Sequence, residues 1–476
     1  MAVTHDERFP YTSQLDMPVI GLESEFKVFV DDVEIGPEEK WRTPAAFIDR
    51  PLLKRTNKSL QLPTGGALYF DGGVIEVVTP VIEIAPQSTG RVVRSLWEQI
   101  GFAREQFDQW EVRTGERIRL QAFSCHVNIS FELGREERSS DRTVQKLAVL
   151  LAHLLPIPAI LLGANRRSTG LGVRPRRERI EITMDFTPDP GLMSAAVALI
   201  VGIVRAVIAW PSYRLDELRA RGIPRLANVA PGKHPSRKGW ITKDYHFPRS
   251  PFTSDIDAAD WLTSTGERTS LREVALQIAT YFGDAIRDVA DPFSVRLMFS
   301  VLRGDTPSLL DLPDRPAAYD DVGRGARWGA VIPELENFES MMDDANESES
   351  LRAHVAARAE RRVRHLAEAK TPLRRRADVE EKLAPPWSGE QTDRRGKARR
   401  SADRRSERPA PSPSLTRSAY ESVFLNLGSR RRLRIGDEIL TPVNVKGWYH
   451  AIFETTNGDE RMLSIDQLLA YASSWV

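Results

Sequence analysis

Between Pro18 and Val30 the chain reads PVIGLESEFKVFV. Ile20, Leu22, Phe26 and Val28 recur at even positions, with Glu23 and Glu25 set among them. A period of two predicts a strand with one apolar face and puts both carboxylates together on the other. Further along, LYF at 68–70, an Asp-Gly-Gly turn and VIEVVTPVIEI at 74–84 predict a hairpin or strand pair. Strand patterns follow within 117–132 (IRLQAFSCHVNISF) and over 176–186 (RRERIEITMDF). The spacing of Val92, Leu96, Ile100 and Phe107 predicts a helix over 89–110, and a second helix spans 142–162.

Met193–Trp210, MSAAVALIVGIVRAVIAW, is apolar almost throughout, but Arg205 interrupts it and Ala and Gly are frequent. A membrane-spanning helix needs about 20 nearly uncharged residues. The segment is therefore read as a buried helix, and no membrane partner is expected. Residues 211–340 are mixed in pattern. KHPSRKGWITKDYHFPR at 233–249 reads as a basic surface loop, and 345–383 as a charged, solvated helix. Residues 385–417 are rich in Arg, Pro and Ser and carry too little apolar surface to offset chain entropy, so they are read as a disordered basic linker. From Tyr420 the strand pattern returns. LRIGDEILTPV, GWYHAIFETT, an Asn-Gly-Asp turn and ERMLSIDQLL predict a small β-barrel-like domain over 418–476.

Composition narrows the picture. A chain of 476 residues exceeds one compact core, and 41% hydrophobic content is ample for more than one. The net charge of +1 gives no electrostatic argument for nucleic acid. Cys125 is the single cysteine, which excludes an internal disulfide framework and a Cys-rich zinc site and fits a reducing compartment. MAVTHDERFPYTSQLDM lacks the apolar stretch of a secretory signal, so a cytoplasmic location is expected.

Four separated segments set carboxylate or imidazole groups inside strand-like apolar patterns. Burying a charged carboxylate is costly unless it is paired or holds a metal. Glu23 and Glu25 share a face. Glu76 and Glu83 flank Thr79-Pro80, a break that would turn both toward one cavity. His126, Asn128 and Ser130 share a face of CHVNIS, and Arg177, Arg179 and Glu181 share a face of RRERIEI. Each has an ordinary alternative: edge carboxylates, a core histidine, a solvated charged strand. Oxygen ligands with one imidazole and no thiolate argue for Mg2+ or Mn2+ over zinc. No segment has the Gly-Lys-Ser/Thr ending of a P-loop.

In this order the segments resemble the glutamine synthetases. GLESEF (21–26) is similar to their Gly-x-Glu-x-Glu-Phe strand, and Glu76 with Glu83 to their second carboxylate pair. His126-Val-Asn128-Ile-Ser130 is similar to their His-x-His/Asn-x-Ser, and RIEITMDFTPDP (179–190) before an apolar helix to the end of their site. The match covers roughly residues 18–210. GGALYFDGGVIEVVTP looks closer to the ligases and deamidases of the prokaryotic ubiquitin-like protein Pup (the proteasome accessory factor branch). Leu68-Tyr69-Phe70-Asp71 stands five residues before Glu76, and Thr79-Pro80 follows. One departure is Thr183, where glutamine synthetases have an Arg after the last metal Glu.

The resemblance implies an α+β fold. A catalytic domain over 1–384 would have an antiparallel sheet lined with metal-binding carboxylates and flanked by helices, with a small β domain beyond the 385–417 linker. It implies that Glu25, Glu76 and Glu83 hold one metal, and Glu23, His126 and Glu181 another. ATP would lie against Asn128, Ser130, Arg177 and Arg179. The two arginines would steady the moving phosphoryl group, and Asp71 would accept the amine proton, with Asp185 as the alternative base. Three functions stay open: an ATP- and Mg-dependent carboxylate–amine ligase, an amide hydrolase on the same scaffold, and a non-catalytic scaffold. The partners implied are a carboxylate-bearing small molecule or a small Pup-like protein, and an amine such as a protein lysine.

Overall fold

The alternation at 19–30 becomes a strand, β1 (Val19–Val30), in which every second side chain from Ile20 to Val30 is buried. The computed structural model describes residues 4–5, 15–55, 59–133, 139–234, 238–326 and 417–476. The charged stretch at 345–383 and the linker read over 385–417, apart from Arg417, lie outside the described residues. The described residues belong to one compact unit of residues 1–338 and 416–476.

Its principal strands are β2 (Ala67–Asp71), β3 (Val74–Val78), β4 (Ile82–Glu83), β5 (Ile118–Ser130), β6 (Gly170–Pro175), β7 (Arg179–Met184) and β8 (Trp240–Lys243). They pair antiparallel in the spatial order β2-β3-β1-β5-β7-β6-β8, with β4 extending the β3 edge along β1. β8 falls inside the segment read as a surface loop. Its pairing with Gly170–Val173 takes up backbone groups that a loop would leave to water. The turn Asp71-Gly72-Gly73-Val74 joins β2 to β3, with φ of 60° and 90° at the two glycines, the left-handed values a two-residue hairpin needs.

The apolar face of β1 is covered by α1 (Ser88–Thr114), and α4 (Pro190–Ile208) packs against α1 and β5. Phe186 meets Phe26 edge-on at 5.1 Å and stacks on Trp97 at 5.5 Å. The helix expected over 142–162 is two, α2 (Val144–Leu154) and α3 (Pro156–Gly163), bent by 61° where Pro156 removes an amide donor. α4 is long and apolar enough to cross a membrane, yet all of its residues except Arg205 and Ala206 are buried. Arg205 leaves the core to pair with Glu132 at 2.9 Å. α4 packs against α6 (Gly283–Val289) and α7 (Pro292–Arg303), while α5 (Leu271–Tyr281) packs against α3 and α7. Gly202 permits the closest approach: a Cβ there would lie 2.6 Å from Ile286 Cα.

The C-terminal segment holds α8 (Ala419–Gly428), β9 (Leu433–Ile435), β10 (Glu438–Lys446), β11 (His450–Glu454), β12 (Glu460–Ser464) and α9 (Ile465–Ala470). Ser418 and Glu421 close a capping box at the start of α8. Its apolar cluster is shared: Leu15 and Leu53 pack with Tyr420, Phe424, Leu427 and Phe453. β10 also joins the main sheet through parallel pairing of Asn444 with Lys54. The change of pattern at 418 is therefore a change of local structure, across which the packing is continuous.

Candidate active site

Antiparallel register sorts the polar residues into rows, because residues directly opposite share a face. Glu25 stands opposite Glu76 and Ser124, with Tyr69 beyond Glu76. In the next row Glu23 stands opposite Val78 and His126, with Thr183 beyond. Then come Gly21, Asn128, Glu181 and Arg174, and last Ser130 opposite Arg179.

The imidazole of His126 lies at the centre and is 5% exposed. Its Nδ1 is 3.4 Å from Glu23 Oε2 and 4.0 Å from Glu181 Oε1, and its Nε2 is 3.8 Å from Glu25 Oε1. The Ser124 hydroxyl donates to Glu25 and lies 3.4 Å from His126 Nε2. Glu76 is buried beside this group. Burial first, then the nearby charges of Glu23 and Glu25, push its carboxyl up to about 9, against the pull of the Tyr69 hydroxyl. Burial pushes the Tyr69 phenol far up as well, helped by Glu23 and Glu76.

Glu181 has the opposite electrostatics. Burial would raise its pKa, but Arg176 at 2.8 Å from Oε2 and Arg174 in contact with Oε1 outweigh it and hold the carboxyl low. Arg174 also approaches His126 Nε2 at 3.4 Å. The Arg179 guanidinium donates to Asn128 Oδ1 at 2.8 Å, and Ser130 Oγ accepts the Val19 amide at 2.7 Å.

Three sequence-read residues fall elsewhere. Arg177 lies before β7, in the turn, with its side chain 88% exposed and 3.8 Å from Glu178. It does not share the face of Arg179 and Glu181, because the strand begins at Arg179. Arg176, across the turn, reaches Glu181 instead. Glu83 is turned to α8, where its Oε1 accepts the Tyr420 amide at 3.1 Å, an acceptor for a free donor in the first helical turn. Asp71 is exposed at the hairpin corner, on the face of Tyr69.

Other residues at the site escaped the sequence reading. Arg174 had one signal, its place in the alternation of GLGVRP. Trp448 and Tyr449 had none. They come from the β10–β11 turn and line a cleft of ≈ 120 Å³ with Glu23, Asn128, Ser130 and Arg179. On its other side Trp448 lies 3.8 Å from the Arg55 guanidinium, and both line a second cleft with Glu23 and Tyr69.

Among the described residues, no group of three or more His, Cys, Asp or Glu side chains is arranged to hold a metal ion as it stands. The donor chemistry separates two halves. Glu181 already has two arginine cations, so the set Glu23, His126 and Glu181 does not fit a second metal. Glu23, Glu25 and Glu76 bring three carboxylates together, and burial first, then the charges of Glu23 and Glu25, raise the pKa of Glu76.

No family model matches the chain, and no curated protein matches it. Among solved structures it is similar to the crystal structure of the complex between the prokaryotic ubiquitin-like protein Pup and its ligase PafA. The TM-score is 0.32 and the identity 11%, over 61% of this chain and 65% of that one, less than two thirds of its length. That likeness is distant and of fold only. The reading of the site rests on its own geometry.

Proposed function

We propose that the chain is a magnesium-dependent, ATP-using ligase that joins a carboxylate to an amine. The observation that carries this reading is the gathering of Glu23, Glu25 and Glu76 on one sheet face beside His126, with Glu76 pushed up to about 9. Glu23, Glu25 and Glu76 would hold the ion, which when bound supplies charge neutralisation for ATP phosphates. Arg179, fixed by Asn128, would bind phosphate oxygens at the cleft. The Trp448 and Tyr449 side chains, which line the same cleft, would limit water access there. The γ-phosphoryl group passes to the acid substrate, and the amine displaces phosphate from that carbonyl carbon. Asp71, exposed on the face of Tyr69, would take the ammonium proton.

The test is magnesium-dependent ATP binding by calorimetry, followed by product analysis with acid and amine panels. ADP formed in proportion to amide supports the ligase. Amide cleavage without ADP makes the chain a hydrolase, and absence of any magnesium-dependent nucleotide binding sinks both.

A further inference from the structure

β12 is the outer strand of the C-terminal sheet. Along one side it pairs with β11 over its whole length, Glu460 to Ser464. Along the other side the backbone of Thr4–His5 lies parallel to it, Thr4 against Arg461 and His5 against Met462. Two residues thus cover part of a five-residue edge, and among the described residues no other strand pairs there. An open strand edge is a template for another extended backbone. A parallel partner cannot arrive by a hairpin, so it comes from a segment distant in sequence.

The same element holds the cleft. Ser464 pairs with His450, and the Ile465 amide donates to the Tyr449 carbonyl at 2.8 Å. The junction of β12 with α9 therefore fixes the turn that carries Trp448 and Tyr449. Residues that follow the Thr4–His5 strand return to this junction. The Asp16 amide donates to Asp466 Oδ1 and the Met17 amide to the Tyr420 hydroxyl, both at 3.4 Å, and Leu15 packs in the cluster of Leu463 and Ile465. Leu15 and Met17 line the cleft together with Trp448 and Tyr449. Two separate strips of its wall are thus anchored to β12 and α9.

We propose that the outer edge of β12 is a strand-docking site for the chain's own Thr4–His5 segment, and that docking there sets both strips of the cleft wall. Main-chain hydrogen bonds supply recognition of this kind. A ladder of two residues is marginal by itself, so the docked state is readily released, and the wall loosens with it. The docking stands apart from the ligase reading; its effect on nucleotide rests on that reading.

The experiment compares the full chain with one beginning at Ser13, by hydrogen exchange and by calorimetry of a non-hydrolysable ATP analogue with magnesium. Exchange should quicken at least about tenfold in the amides of 460–464, and also quicken in the turn at 448–449. Nucleotide affinity should fall by about 2–30-fold, the range of coupling carried through packed elements. A synthetic peptide of residues 1–12, added in excess, should restore both. The same peptide with Thr4→Pro and His5→Pro lacks both amide donors and should restore neither. If the shortened chain fails to fold, the two proline substitutions in the full chain give the same readouts with Leu15 in place. Unchanged exchange at 460–464, or equal rescue by the proline peptide, overturns the docking. Quickened exchange at 460–464 with the turn at 448–449 unmoved overturns its link to the cleft. A full chain that binds no nucleotide sinks the ligase reading, and the exchange data still decide the docking.

Discussion

Glu25 stands directly across an antiparallel strand pair from Glu76, two carboxylates at a position where like charges destabilise a sheet. Glu76→Gln should therefore stabilise the magnesium-free chain, by about 1–3 kcal/mol at pH 8. Millimolar magnesium should raise the melting temperature of the unsubstituted chain and leave that of Glu76→Gln unmoved. Thermal unfolding with and without the ion decides it. A variant that still responds to magnesium removes Glu76 from the ion's ligands.

Glu181 should behave differently. It neutralises Arg174 and Arg176, and Glu181→Gln would leave buried guanidinium charge behind. The expected loss is about 3–5 kcal/mol in urea unfolding, as for other broken buried ion pairs. The magnesium response of the folded fraction should survive. A stable variant that has lost the response would make Glu181 a ligand, as the family resemblance implies.

Asp71 sits at an exposed hairpin corner. Asp71→Asn should keep magnesium-ATP affinity and lower turnover by about 10²–10⁴-fold. Near-normal turnover would reduce the residue to a hairpin turn position.

His153, on α2, gives an acid-sensitive term. Burial, and then Arg225, push its imidazole down to about 4. The unfolded chain binds a proton there near pH 6.5, while the folded chain stays neutral to about 4. Its stabilisation is thus present above pH 6.5 and is lost as pH falls from there to about 4. Urea midpoints at pH 4.5 and 7.5 should differ less in His153→Gln. An unchanged difference would assign the acid sensitivity to other groups.

Removing residues 417–476 should destabilise what remains, because Leu15 and Leu53 would lose the apolar cluster of α8 and β11. Circular dichroism melts of a chain ending at Thr416 would show this. A truncated chain with an unchanged melting temperature would mean the segment folds alone.

The sequence was most legible where apolar alternation ran unbroken, as over 19–30, and there the pairing of Glu23 and Glu25 on one face followed directly. Arg177 was misplaced because the first apolar marker in RPRRERIEI is Ile180, so nothing in the pattern tells where the strand begins. Glu83 was misplaced for a different reason. Its partner, Tyr420, lies 337 positions away, and no local pattern carries that information. A still longer separation, from Arg55, hid Trp448. The bulge at Phe123, where the pairing of β5 with β1 slips by one residue, was invisible because such a slip leaves no mark on the composition of either strand.

The stacking of Arg55 on Trp448 has a consequence for how the protein is made. Arg55 also donates to the carbonyl of Gly447, 392 positions later in the chain. During synthesis the first half of the sheet emerges with its cleft lacking a wall and Leu53 lacking its apolar neighbours. It must wait for nearly all the remaining residues. Contacts of such long sequence separation close late and slowly, and apolar surface stays open meanwhile. The nascent chain is therefore expected to depend on chaperones until its last hairpin docks, and refolding from denaturant should be slow and concentration-sensitive.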